Sequence, residues 1–160
     1  MASDMFLKID NIKGESVDSV HKDQIDILSF SWGVTQSGSS QVGIGTGTGK
    51  ASVSDLTVSK YVDKSSPLLF QMSCLGTPFN TAILYVRKAG GKPLEYIKIT
   101  MSQGLISSVQ DTGGGGEERI TESLSLNFAS VIYEYVPQNA DGTAAASITK
   151  GFNIAGNVAV

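Results

Sequence analysis

The sequence predicts a mainly β fold with one short helix and long Gly-rich loops. Three observations carry that prediction. Apolar residues recur at every second position through much of the chain, the period of a strand with one side against a core. Gly is abundant, at 18 of 160 residues, against a usual ~7%, while Pro is scarce at 4; that mixture provides tight turns around a sheet core. Only one segment carries a helical start, period and stop. A chain of 160 residues is expected to form one domain, 1–160, and at this length folding buries about 68–70% of the unfolded surface without a staple.

The strands follow in order. In QIDILSFSWGV, Leu28, Phe30 and Trp32 share one side while Ile27, Ser29 and Ser31 take the other. VSDLTVSKYV sets Leu56 and Val58 opposite Asp55, Thr57 and Ser59. TAILYVRK groups Ala82, Leu84 and Val86 against Ile83, Tyr85 and Arg87, and LEYIKITM groups Ile97, Ile99 and Met101 against Tyr96, Lys98 and Thr100. Gly104 interrupts before LISSV, a natural place for a bulge or bend. ERITESLSLNFASVIYEYV is the longest signal: Leu124, Leu126 and Phe128 share a side, and after Ala129 the apolar phase moves to Val131, Tyr133 and Tyr135. A strand longer than the usual ~5–6 residues crosses between sheets or wraps a barrel. Asn139–Gly142 reads as a turn, and SITKGFNI as a closing strand.

The helix lies in DKSSPLLFQMSCLG. Ser66 is the expected cap, Pro67 suits the first helical position, and Gly76 is the stop. Leu68, Met72 and Leu75 at i, i+4 and i+7, with Leu69 beside them, are the expected covering side of about two turns. Two Gly-rich stretches, Ser37–Lys50 and Asp111–Glu118, lie between strands without a pattern of their own. The first exceeds most hairpin loops, and such length is usually functional or disordered.

Composition excludes several functions. With 12 Lys and Arg scattered against 15 Asp and Glu, the net charge is −3, so no concentrated positive surface favours nucleic acid. No apolar run approaches the ~20 residues that span a bilayer, so membrane insertion is not expected. Asp4, Lys8 and Asp10 interrupt the N-terminus where a signal peptide needs an apolar core. Cys74 is the only cysteine, which excludes an internal disulfide and a Cys-based zinc site.

Motifs for catalysis are equally thin. GTGTGK resembles a phosphate loop, but Ile44 stands where the first Gly belongs and Ala51 replaces the magnesium-binding hydroxyl. Lys50 occupies the third-Gly position of a dinucleotide turn, so the segment reads better as a contact loop. His21 is the only histidine and, beside Glu15, Asp18 and Asp23, reads as a solvated loop residue. Glu117, Glu118, Arg119 and Glu122 read as an exposed, screened strand entry. Cys74, among Met72 and Leu75, reads as buried and inert. No G-x-S-x-G elbow is present, and neither an enzyme nor a cofactor is expected.

The unusual feature is the non-core side of the strands. Ser29, Ser31, Thr57, Ser59, Ser123, Ser125 and Asn127 make it small, hydroxylated and nearly uncharged. Such a surface suits a solvent-filled channel or an assembly contact; an ordinary exposed side rich in β-favouring Ser and Thr is the other reading.

DMFLKIDNIKGES, a following His and DILSFSWGVTQSG resemble the haemolysin-coregulated protein (Hcp) family, inner-tube subunits of bacterial type VI secretion systems. The resemblance continues through DLTVSKYVDKSSPLLFQMS, YVRKAGG, YIKITM and GGGGEERITESLSLNFASVIYEY, nearly the whole chain in order. It implies a small β-barrel of two sheets with one flanking helix, assembled as a homo-hexamer whose rings stack into a hollow tube. The implied partners are a spike protein complex, a contractile sheath and secreted effector proteins carried in the pore. Secretion would proceed without a cleavable signal. By position the resemblance turns Ser29 and Ser31 toward the pore, in agreement with the alternation, and assigns ring stacking to Val42, Gly43, Ile44, Gly45, Thr46, Gly47, Thr48, Gly49 and Lys50. A small ligand-binding barrel unconnected with secretion is the alternative class.

Overall fold

A computed structural model describes residues 3–38, 50–90 and 93–160. Its strands are β1 (Ser3–Ile9), β2 (Ile25–Ile27), β3 (Ser29–Ser31), β4 (Val34–Gln36), β5 (Ala51–Val53), β6 (Leu56–Tyr61), β7 (Pro78–Lys88), β8 (Leu94–Thr112), β9 (Thr121–Tyr135), β10 (Ile148–Asn153) and β11 (Val158–Ala159). One helix, α1 (Ser66–Leu75), separates β6 from β7. Mainly β with one short helix, the fold matches the predicted class.

Nine strands form one antiparallel sheet in the order β11-β10-β9-β8-β7-β1-β2, with β6 on β9 and β3 on β6; β4 and β5 form a separate hairpin. On the edge away from β8, the long β9 serves two neighbours, β6 along Thr121–Leu126 and β10 along Ser130–Tyr135. The switch falls where the apolar phase moves, from buried Leu124, Leu126 and Phe128 to buried Val131. The expected barrel is not closed by its ladder. At Leu28 the chain passes from β2, paired with β1, to β3, paired with β6, and one bond from Leu28 N–H to the Ser59 carbonyl marks the gap.

That change of partner corrects the predicted phase. Ile25 and Ile27 point into the core, and Leu28 is exposed. Beyond it Phe30 and Trp32 pack against the core as expected. The core itself gathers Leu7, Ile9, Leu56, Val58, Leu84, Ile99, Met101, Leu124 and Leu126, all removed from solvent. Truncating one such leucine to alanine typically costs about 2–5 kcal/mol.

Helix α1 begins one residue earlier than expected, at Ser66 after an N-cap Ser65 whose side chain makes no capping bond, and it runs 10 residues rather than two turns. Gly76 ends it in the left-handed region at φ 64°. The buried apolar residue is Leu69; Leu68 and Leu75 face solvent together with Phe70. The spacing identified a helix correctly and its covering side in part, since Leu69 and Met72 meet the core and Leu68 and Leu75 do not; a ten-residue segment with apolar residues all round offers little contrast from which to choose a face.

Candidate functional site

Register converts the hydroxylated side chains into transverse rows. Ser29 pairs with Ser59, Ser59 with Ser123, and Ser123 with Gln110. Ser31 pairs with Thr57, Thr57 with Ser125, and Ser125 with Ser108. A third row joins Tyr61, Thr121 and Thr112 on β6, β9 and β8. Alternation puts all of these opposite the buried Leu56, Val58, Leu124 and Leu126. Ser29, Ser31 and Gln110 are exposed, and the interior members are half-buried. Thr57 Oγ1 and Ser125 Oγ share a hydrogen bond of 3.0 Å across the strands. At one end of the face the two oxygens of Asp55 accept from Ser107 Oγ at 2.7 Å and Asn127 Nδ2 at 2.9 Å. At the other, the Arg119 guanidinium lies 3.9 Å from the centre of the Tyr61 ring.

Opposite this face, inside the sheet, Lys60 and Glu122 continue the core positions as a buried ion pair, with Nζ 3.3 Å from Oε1. The ammonium donates to the Tyr61 carbonyl at 3.0 Å, to Asp63 Oδ1 at 3.2 Å and to Ser66 Oγ at 3.0 Å. Its three protons are thereby used, and among the described residues neither Glu122 oxygen accepts a hydrogen bond. Burial pushes the Glu122 carboxyl above the ordinary range, and the charge of the neighbouring Lys60 ammonium pulls against it. The expected exposed acidic cluster is therefore corrected: Glu117, Glu118 and Arg119 face solvent, but Glu122 is interior.

His21 is also interior, 2% exposed, and not a solvated loop residue. Its ring stacks on Phe6 at 4.5 Å and tilts against Tyr85 at 4.6 Å. Nδ1 lies 3.0 Å from Gln24 Oε1, and Nε2 meets the Glu95 carboxylate. Nearby, Asp18 binds Arg87 through two guanidinium nitrogens at 2.6 and 3.1 Å. That bond from Arg87 holds the Asp18 carboxyl well below its usual range. The loop between β1 and β2 is thus fastened across the outer side of β1 and β7. Cys74 is exposed, which corrects its expected burial. Of the predicted stacking segment, Val42–Gly49 lies outside the described residues; Lys50 is exposed at the entry to β5.

Sequence reasoning did not single out a groove of about 310 Å³ between the β4–β5 hairpin and the β9–β10 ladder, lined by Trp32, Val34, Val53, Val131, Tyr133 and Phe152. Its residues come from distant parts of the chain: pairing sets Val34 on Val53 and Phe152 on Val131, and the tilted contact of Trp32 with Tyr133 at 5.6 Å joins the two sides.

A family model described as type VI secretion system effector, Hcp, matches residues 6–135. The chain belongs to the Hcp family. It is 49% identical to protein hcp1 of Pseudomonas aeruginosa over 160 residues, covering 99% of both chains. A solved type six secretion system protein superposes with a TM-score of 0.93 at 32% identity, covering 99% of this chain and 100% of the other. Hcp1 of Salmonella typhimurium superposes at 0.82 with 37% identity, covering both chains fully. This Hcp-family chain is accordingly a type VI secretion protein.

Proposed function

We propose that the protein is the tube subunit of its secretion system: six copies close into a ring, rings stack into a hollow tube, and the tube is exported with effector proteins in its pore. The observation that carries this reading is the set of neutral hydroxyl rows, open to solvent on one side of a sheet whose other side is the core, in a chain of the Hcp family. Ser29 and Ser31 then line the pore, where short side chains leave room and offer both donors and acceptors. Head-to-tail contacts that close by rotation give a ring, and contacts along the axis give a tube. Ring closure also covers the apolar groove beside Trp32, which a monomer leaves wet. The segment Val42–Lys50, which lies between β4 and β5 along the chain, makes the axial contact. The spike complex starts the tube and the sheath drives it outward; the chain serves as wall and carrier and catalyses nothing.

Native mass measurement of the purified protein tests the ring directly, and a hexamer is expected. Ser31→Gln places a longer side chain in the pore; it is expected to keep the hexamer and reduce the cargo that co-purifies with it. A monomer at every concentration overturns the assembly, and unchanged cargo in the variant moves the cargo surface elsewhere.

A further inference from the structure

We propose, resting on the cargo-face reading above, that this face holds proteins by neutral hydrogen bonding alone and accepts acidic and basic cargo alike. The rows through Ser29 and Ser31 carry hydroxyls and one amide and no ionisable group across β3, β6, β9 and β8. Two charges of opposite sign, Asp55 at one end and Arg119 at the other, border the face, so neither sign dominates it. Asp55 uses both oxygens on Ser107 and Asn127, and Arg119 is laid over Tyr61. Lys60 and Glu122 belong to the same strands but point the other way, into the core, and pair with each other there.

A hydroxyl both donates and accepts, so it answers a carbonyl, an amide or a charged side chain without preferring one sign. Among the described residues only Thr57 and Ser125 use their hydroxyls on each other, while Ser29, Ser31, Ser59 and Ser123 make no side-chain hydrogen bond. The rows lie ~6.8 Å apart along the strands, two residues of extended chain, and neighbouring strands within a row are ~4.8 Å apart. This grid offers many weak, interchangeable contacts where a dedicated pocket would offer a few strong ones. Steering by charge would make retention depend on salt; this grid does not.

The test uses one small globular protein made in an acidic and a basic version by surface substitution. Its retention by the purified protein is measured by co-sedimentation at ~50 mM and ~500 mM NaCl, conditions that change the screening length about threefold. Both versions are expected to be retained to within about twofold of each other at both salts, since no like-charge contact opposes either. Ser29→Lys is expected to discriminate against the basic version at low salt, and Ser29→Glu against the acidic one. Should the lysine variant fail to fold by its melting curve, Gln110→Lys at the far end of the same row replaces it. Selective or salt-sensitive retention by the parent protein overturns the charge independence and leaves the cargo face standing. Retention of neither version overturns the proposal, because a grid of this kind needs no dedicated cargo. Retention that Ser31→Gln and both Ser29 variants leave untouched overturns instead the reading on which it rests.

Discussion

Lys60 and Glu122 occupy positions that alternation assigns to apolar side chains, following Leu56 and Val58 on one strand and preceding Leu124 and Leu126 on the next. Removing one member of a buried pair strands the other charge, so Lys60→Met is expected to cost about 3–5 kcal/mol in denaturant unfolding. Adding Glu122→Leu to that variant is expected to restore much of the loss. Acidity separates the roles further. Because burial raises the Glu122 carboxyl in the folded state, the native protein keeps this proton where the unfolded chain has released it. Stability therefore falls as pH climbs above the ordinary glutamate value of ~4.3. Glu122→Gln removes that fall, so the difference in melting temperature between variant and parent is expected to shift in the variant's favour with rising pH; a constant difference rejects the assignment. Asp18 acts with the opposite sign. Arg87 holds its carboxyl low, so its contribution is complete above the ordinary aspartate range and is lost as pH falls through the lowered value. None of these partners could be read from spacing alone, since Lys60 and Glu122, or Asp18 and Arg87, meet only across strands and loops.

Among the elements, the long strands were the most legible. Their alternation runs for many residues with one wet side, and the break after Phe128 marks where β9 changes partner. Strand β1 was not predicted, and its packing explains why: Phe6 and Leu7 are adjacent and both buried, because His21 and its loop cover the outer side that alternation expects to be polar. Gly104 is the position where the sequence predicts a bulge or bend. The preceding Gln103 indeed adopts φ 52°, and the ladder's register shifts soon after, between Ile106 and Ser108. A Cβ at Gly104 would stand 2.0 Å from the Asn127 carbonyl and 2.5 Å from the Phe79 ring, so backbone would have to move. Gly104→Ala is expected to cost about 3 kcal/mol in chemical unfolding. At Gly33 a Cβ meets nothing within 4 Å, and Gly33→Ala is expected to stay within about 0.5 kcal/mol. Equal losses at both sites would show that crowding is not the cause.

At the scale of the whole molecule, the described residues offer an open hydroxyl face, an apolar groove and the separate β4–β5 hairpin, and the proposed assembly uses all three. The division of labour is testable by deletion. Removing Val42–Thr48 is expected to leave six copies in the ring and to abolish tube growth in electron micrographs and export into the medium. Normal export would assign stacking to another surface. The candidate face itself was half legible from the chain: Ser29, Ser31, Thr57 and Ser123 were visible as a polar side, but their alignment into rows depends on register between strands far apart in sequence.

By itself the sequence determined the strand-rich class, the helix and its Gly76 stop, the parity of most core positions and, through its likeness to Hcp proteins, the family. These follow from local periodicity and from strings of residues, both of which exist along one chain. Only the tertiary structure decided that the ladder breaks at Leu28, that Leu69 and not Leu68 enters the core, and that His21 and Glu122 are buried while Cys74 is not. Burial of a polar group depends on which distant partner arrives to satisfy it, and that partner is supplied by the fold rather than by the neighbours in sequence.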